Sequence, residues 1–309
     1  MTSNRRRFLA AAGSIPVGWS ALCAAASGAA LEKVRLSVLT DEIDEDVETA
    51  ARLLQEFGVR WAEIRSIWGK YNTVQPAARV RDAGAILNAH QVKTAVLGTA
   101  FFRGALPPQT PQGQAELDQE WALLDAAIER AHILGVDCLR SFAFTFKPGE
   151  TFDAKDLPRT YELLREAARR ARKGGVRLAV ENLEGSYFVR GATSAQLLKN
   201  VQDDALGLTW DPNNAAQDGE LSFPDGYRLL DPARIFHVHL RDFRHTAAGK
   251  VEWCAVGQGE FDNLGQMRAL LTSGYKGAFS LETHYHHPDG KAAATRVSLS
   301  ALTKLVDRL

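Results

Sequence analysis

The chain has 309 residues, and its 37 Lys and Arg balance 37 Asp and Glu, so the formal net charge is zero. That leaves no general basic field for holding nucleic acid. Hydrophobic residues at 45% and charged residues at 24% exclude a disordered or fibrous chain, and three cysteines are too few for a disulfide framework.

Residues 1–30 read as an address. Asn4-Arg5-Arg6-Arg7-Phe8-Leu9 is followed by Ala10 to Ala30, a stretch with no charged residue. A basic start, a weakly apolar stretch rich in Ala, Gly and Ser, and small residues before Leu31 predict a twin-arginine signal. The expected partner is then the twin-arginine translocase. The expected location is the periplasm or another exported one, with no stable membrane span in the mature chain. Of the cysteines, Cys138 and Cys254 stay in the mature part, and nothing in the sequence brings them together.

From residue 31 onward one domain is expected, because no linker rich in Pro, Gly or Ser divides it. Apolar alternation predicts strands at 34–39, 60–65, 92–97, 136–142, 176–181, 206–211, 235–240 and 278–282. Amphipathic helices are predicted at 44–57, 76–90, 114–134, 156–173, 193–201, 262–273 and 292–309, with a short one near 225–230. Eight strand–helix units predict a single-domain α/β fold, the (β/α)8 TIM barrel, over residues 31–309. The dinucleotide fingerprint of the competing open sheet is absent.

The strand faces point the same way. Leu178, Val180, Leu206, Leu208, Trp210, Phe236, Val238, Leu240, Phe279 and Leu281 form an apolar set suited to helices. The alternate set is small or polar: Ala179 and Glu181, Thr209 and Asp211, His237 and His239, Ser280 and Glu282. An open sheet covered on both faces would be apolar on both sets. In a barrel, polar groups on the inner set at the carboxyl ends of strands line a functional mouth.

Four strands in succession therefore end in a metal-ligand type on one face: Glu181, Asp211, His239 and Glu282. Three carboxylates and one imidazole suit one divalent ion, Mn2+, Mg2+ or Co2+ before Zn2+, which prefers thiolate and imidazole in structural sites.

The stretch from Leu178 to Glu282 resembles the xylose-isomerase-like TIM barrel superfamily of sugar phosphate isomerases and epimerases. The residues that carry this are Val180-Glu181-Asn182, Trp210-Asp211-Pro212-Asn213-Asn214, His237-Val238-His239-Leu240-Arg241-Asp242, Gly257-Gln258-Gly259 and Leu281-Glu282-Thr283. Thr40-Asp41-Glu42 and Glu63-Ile64-Arg65 look similar as well. The resemblance implies that the four ligand candidates share one ion. It also implies that Glu181 and Glu282 flank a substrate carbon as paired acid and base. AP endonucleases of the same fold are a poor match, since Asn214 stands where a ligating histidine would follow Asp211 and an Asp-x-His pair is missing from Val251 to Gly259.

Arg65, Asn182, Asn214, His237 and His245 are candidates for substrate contact. His237 reads equally as a partner that orients a ligand and as a hydrogen-bonded core histidine, and His245 follows from a cationic residue near that place in the epimerases. Lys70, Arg103, Lys147, Trp68, Phe101, Phe102 and the histidines at 284, 286 and 287 fall near the expected mouth. The expected activity is proton abstraction next to a carbonyl in a sugar or keto-sugar, giving isomerisation or epimerisation. A β-eliminase acting on 3-keto-glycosides and a non-catalytic periplasmic sugar-binding protein are the alternatives. Oligomeric state is not legible in the sequence.

Overall fold

The computed structural model describes residues 34–146, 150 and 152–309, so the expected signal and Lys147 lie outside the described residues. Eight parallel strands close into a barrel: β1 (Leu36–Leu39), β2 (Trp61–Ile64), β3 (Lys93–Gly98), β4 (Cys138–Ser141), β5 (Arg177–Glu181), β6 (Leu206–Trp210), β7 (Ile235–Leu240) and β8 (Ala278–Leu281). Each strand pairs with the next, and β8 returns to β1 with Leu36 opposite Phe279.

The helices are α1 (Val47–Glu56), α2 (Ala77–Ala89), α3 (Pro111–Leu134), α4 (Leu157–Lys173), α5 (Gly191–Asn200), α6 (Pro212–Gln217), α7 (Asn263–Thr272) and α8 (Lys291–Val306). Local chemistry sets their ends. Asp46 caps α1 by accepting from the Thr49 amide at 3.0 Å. Thr110 caps α3, whose first residue is Pro111, and Gly135 ends it with φ of 66°.

The two strand faces separate as the alternation predicts. Leu178, Val180, Leu208, Trp210, Val238, Leu240, Phe279 and Leu281 are buried against the helices, while Ala179, Thr209, His237 and Ser280 fill the bore and are fully buried. Phe236, at the foot of β7, is only half-buried, with the Arg177 guanidinium 4.8 Å from its ring centre.

One expected element lies elsewhere. The short helix after the sixth strand is α6, directly after Trp210, and residues 222–226 form a π-helical turn. Asp211 and Pro212 are the cause. The Asp211 carboxylate accepts from the Asn213 and Asn214 amides at 2.9 and 3.2 Å, and proline fits the first helical position.

The long connection after β7 carries a hairpin pairing residues 243–245 with 251–253. It then wraps around Asp242, whose carboxylate accepts from the amides of Gly257, Gly259 and Phe261 at 2.8, 3.1 and 3.2 Å. A Cβ at position 259 would fall 2.1 Å from Asp242 Oδ1, which explains the glycine there. Cys138 and Cys254 are buried free thiols. Among the described residues no helix is long and apolar enough to cross a membrane.

Candidate functional site

Glu181, Asp211, His239 and Glu282 meet at the carboxyl end of the barrel, with one ligand atom from each within 4.8 Å of the others. His239 Nδ1 is the hub. It lies 3.5 Å from Glu181 Oε1, 3.9 Å from Asp211 Oδ2 and 3.4 Å from Glu282 Oε2. It is buried and makes no hydrogen bond. A buried imidazole nitrogen without a partner, facing three carboxylate oxygens, fits a divalent ion held by this donor set.

Each carboxylate has one oxygen facing His239 and a second held from outside. Glu181 Oε2 accepts from Arg140 Nη1 at 3.1 Å, and Glu282 Oε1 accepts from Arg65 Nη1 at 3.2 Å. Asp211 Oδ1 accepts the two α6 amides described above. Arg65 is itself fixed by Asp41 at 2.8 Å and Glu42 at 2.7 Å.

Beneath this layer Glu63 joins two histidines. Its Oε2 lies 2.7 Å from His237 Nε2 and 3.1 Å from His239 Nε2, and all three side chains are fully buried. Burial alone would raise the Glu63 pKa, but His239 and His237 hold it well below the carboxylate range. An ionised Glu63 only accepts, so both Nε2 atoms carry hydrogen, and when His239 is neutral its lone pair is on Nδ1, facing the carboxylate cluster.

The electrostatics follow from burial against neighbouring charge. Burial opposes ionisation of Glu282, yet Arg241 and His239 hold its pKa well below the usual range, and His239 with Arg140 lowers that of Glu181. At Asp211 burial prevails over Arg241 and His239 and the value is raised. Burial would lower His239, but Glu63, Glu181 and Glu282 lift it well above its ordinary value. A proton and a metal ion thus compete for one nitrogen.

The other sequence candidates divide into two groups. Arg65, Asn214 and His237 adjoin the cluster: Asn214 Nδ2 donates to Glu181 Oε1 at 3.4 Å, and His237 lies one layer down on Glu63. Asn182 is turned into the protein. Its amide donates to the Val189 and Asp211 carbonyls at 2.9 and 2.8 Å and accepts from the Asp211 amide at 2.7 Å, so it latches β5 to β6 and places Asp211. His245 is exposed on the hairpin, 2.8 Å from Glu260.

Phe101 and Phe102 are buried, stacked on each other with ring centres 3.9 Å apart and packed on Trp121. Trp68 is engaged with Asp46 and Arg79, and Arg103 donates to the Tyr71 hydroxyl at 3.1 Å. His284 is half-buried beside the cluster, with Nε2 3.5 Å from Glu282 Oε1. Sequence reasoning assigned no role to Arg140 or Arg241. For Arg140 the available signal was an arginine in the inner phase of its strand, in register with Ala179.

Residues 51–305 match the sequence profile of a family described as xylose isomerase-like TIM barrel. A stretch of 143 residues is 34% identical to a 3-dehydroshikimate dehydratase of Pseudomonas aeruginosa, covering 44% of this chain and 22% of that protein. The match thus spans about a fifth of the relative's length. A zinc-bound structure of the IOLI protein superposes with a TM-score of 0.71 at 18% identity, covering 88% of this chain and 98% of the other. D-psicose 3-epimerase from Clostridium cellulolyticum, solved with D-tagatose, gives 0.65 at 16% identity, covering 88% and 94%. At these identities the structural likeness is one of fold.

Proposed function

The chain belongs to the xylose isomerase-like TIM barrel family, and on that premise we propose that it is a divalent-metal-dependent enzyme removing a proton from a carbon next to a carbonyl in a sugar or keto-sugar. The observation that carries this is the convergence of three carboxylate oxygens on the unpartnered Nδ1 of His239. A divalent ion held there would polarise a carbonyl and its neighbouring hydroxyl, acidifying the C–H between them.

The protein's own groups then divide the work. Asp211 and His239 are ligands. Glu181 and Glu282 each bring one carboxylate oxygen close to His239 Nδ1, at 3.5 and 3.4 Å. One can take a proton from one face of a carbon while the other returns one to the opposite face. Arg140 and Arg65 grip the outer oxygens of these two glutamates and fix their rotation. With pKa values lowered by their cationic neighbours, the glutamates are ionised and ready to accept, and the near-complete burial of both limits competition from water.

Return of the proton on the other face gives epimerisation, and return at the neighbouring carbon gives isomerisation. The dehydratase match supports a second reading, loss of a β-hydroxyl or glycosidic oxygen after the same abstraction. The test is to incubate metal-stripped and metal-reloaded protein with a panel of ketoses, aldoses and 3-keto-glycosides in D2O. Deuterium entering a substrate or product only in the reloaded protein supports the proposal. An epimer, an isomer or an unsaturated product then identifies the branch. Failure of every panel member to exchange with metal bound would favour a binding protein.

Export through the twin-arginine route is likewise proposed, on Arg5 and Arg6 in their sequence context. Changing both to Lys should leave precursor in the cytoplasm, and normal export of that variant would refute it.

A further inference from the structure

The three arginines of the site do not hold the carboxylates in the same way. Arg140 and Arg65 bind oxygens turned away from His239, namely Glu181 Oε2 and Glu282 Oε1. Arg241 binds the inward ones. Its Nη2 contacts Asp211 Oδ2, and its Nε lies 3.5 Å from Glu282 Oε2. These are the same two oxygens that face His239 Nδ1.

The rest of Arg241 is anchored without them. Nη2 donates to Asn214 Oδ1 at 2.7 Å, Nη1 lies 3.2 Å from His284 Nδ1, and the guanidinium carbon lies 4.7 Å from the centre of the Trp253 ring. Nε is buried and makes no hydrogen bond, so at Glu282 it is held by charge alone. Arg241 therefore has other partners available if the inward oxygens are taken.

We propose that Arg241 and the divalent ion are alternative occupants of the edge formed by Asp211 Oδ2 and Glu282 Oε2. Arg241 is a built-in counter-ion: it compensates the two carboxylates before loading and must give up their inward oxygens to the ion. Arg140 and Arg65 compete for nothing the ion needs, because their oxygens point outward. Arg241 is thus a positioning residue that sets how tightly the ion is held. A residue that only supports the ligands would weaken binding when removed, and Arg241 should do the reverse.

This inference rests on the metal-site reading above, and its test separates the two. Mn2+ alone is titrated calorimetrically into the full folded protein, into Arg241→Met and Arg241→Gln, and into Arg140→Met, which also removes one positive charge from the site. Losing a charge-assisted contact that opposes the ion should tighten Mn2+ binding about 10- to 100-fold in both Arg241 variants. Arg140→Met should show less than a tenth of that gain. Circular dichroism identifies which variants are folded, and either Arg241 variant alone suffices. Unchanged or weaker binding in a folded Arg241 variant overturns the proposal, as does an equal gain in Arg140→Met, which would mean net charge is all that matters. If the wild type and every variant bind no divalent ion, the metal-site reading itself fails.

Discussion

Glu63 Oε2 lies 3.1 Å from His239 Nε2 and thereby decides which nitrogen of His239 faces the ligand cluster. The carboxylate stands three strands away from the histidine in the barrel order, with β1 and β8 between β2 and β7, and still reaches it across the bore. Changing Glu63 to Gln keeps an acceptor but removes the charge that fixes the tautomer. Partners of this kind typically contribute about 10- to 100-fold in metal affinity. A metal titration of folded Glu63→Gln should show that loss, and wild-type affinity would mean that Glu63 only fills the core.

Metal binding should strengthen with pH. The pKa of His239 is raised in the folded protein, so its protonated form adds stability below the ordinary histidine range, and this is lost as pH rises through the folded value. The ion needs the neutral imidazole. Its affinity should therefore rise by up to about tenfold per pH unit below the raised value, with one proton released on binding there. Calorimetry in two buffers of different ionisation enthalpy, from about pH 6 to about pH 8, measures both. Affinity that does not change with pH, with no proton released, would contradict the assignment of His239 as a ligand.

Gly98 is required for space. A Cβ there would fall 2.8 Å from Arg140 Nη2 and 3.2 Å from Arg65 Cβ. Gly98→Ala should displace the Arg140 guanidinium from Glu181 while leaving the barrel folded. A shift on the order of 1 Å in a positioned catalytic group costs about 100-fold in rate. Assay and thermal melting together check this: a full loss of fold, or full activity with wild-type melting, would be inconsistent with the role given to Arg140.

Much of the architecture was legible in the sequence. Period-two alternation set strands such as Ile235–Leu240, and glycines at 58, 135 and 175 marked the ends of helical stretches. The convergence of Glu181, Asp211, His239 and Glu282 followed from the phase of the inner face, which a parallel barrel shares between strands. The exceptions have physical causes. Pro212 opens α6 because Asp211 caps it, an arrangement in which one carboxylate serves both a helix end and the site. Asn182 faces the backbone because the end of β5 must be tied to β6. Arg140 and Arg241 were missed because their significance lies in which oxygen of each carboxylate they hold, and that depends on side-chain rotation, to which sequence periodicity is blind.

The most direct test of the account is deuterium uptake from solvent into a responsive substrate at saturating Mn2+, compared between Asp211→Asn and Glu282→Gln. Both keep an oxygen ligand. Asp211→Asn should lose metal affinity and regain at least part of its exchange when metal is in excess. Glu282→Gln lacks the proton-accepting carboxylate, and its exchange should fall by about 100- to 10,000-fold and stay low with metal bound. Exchange at the wild-type rate in metal-loaded Glu282→Gln would contradict the paired-glutamate account and place the base elsewhere at the mouth.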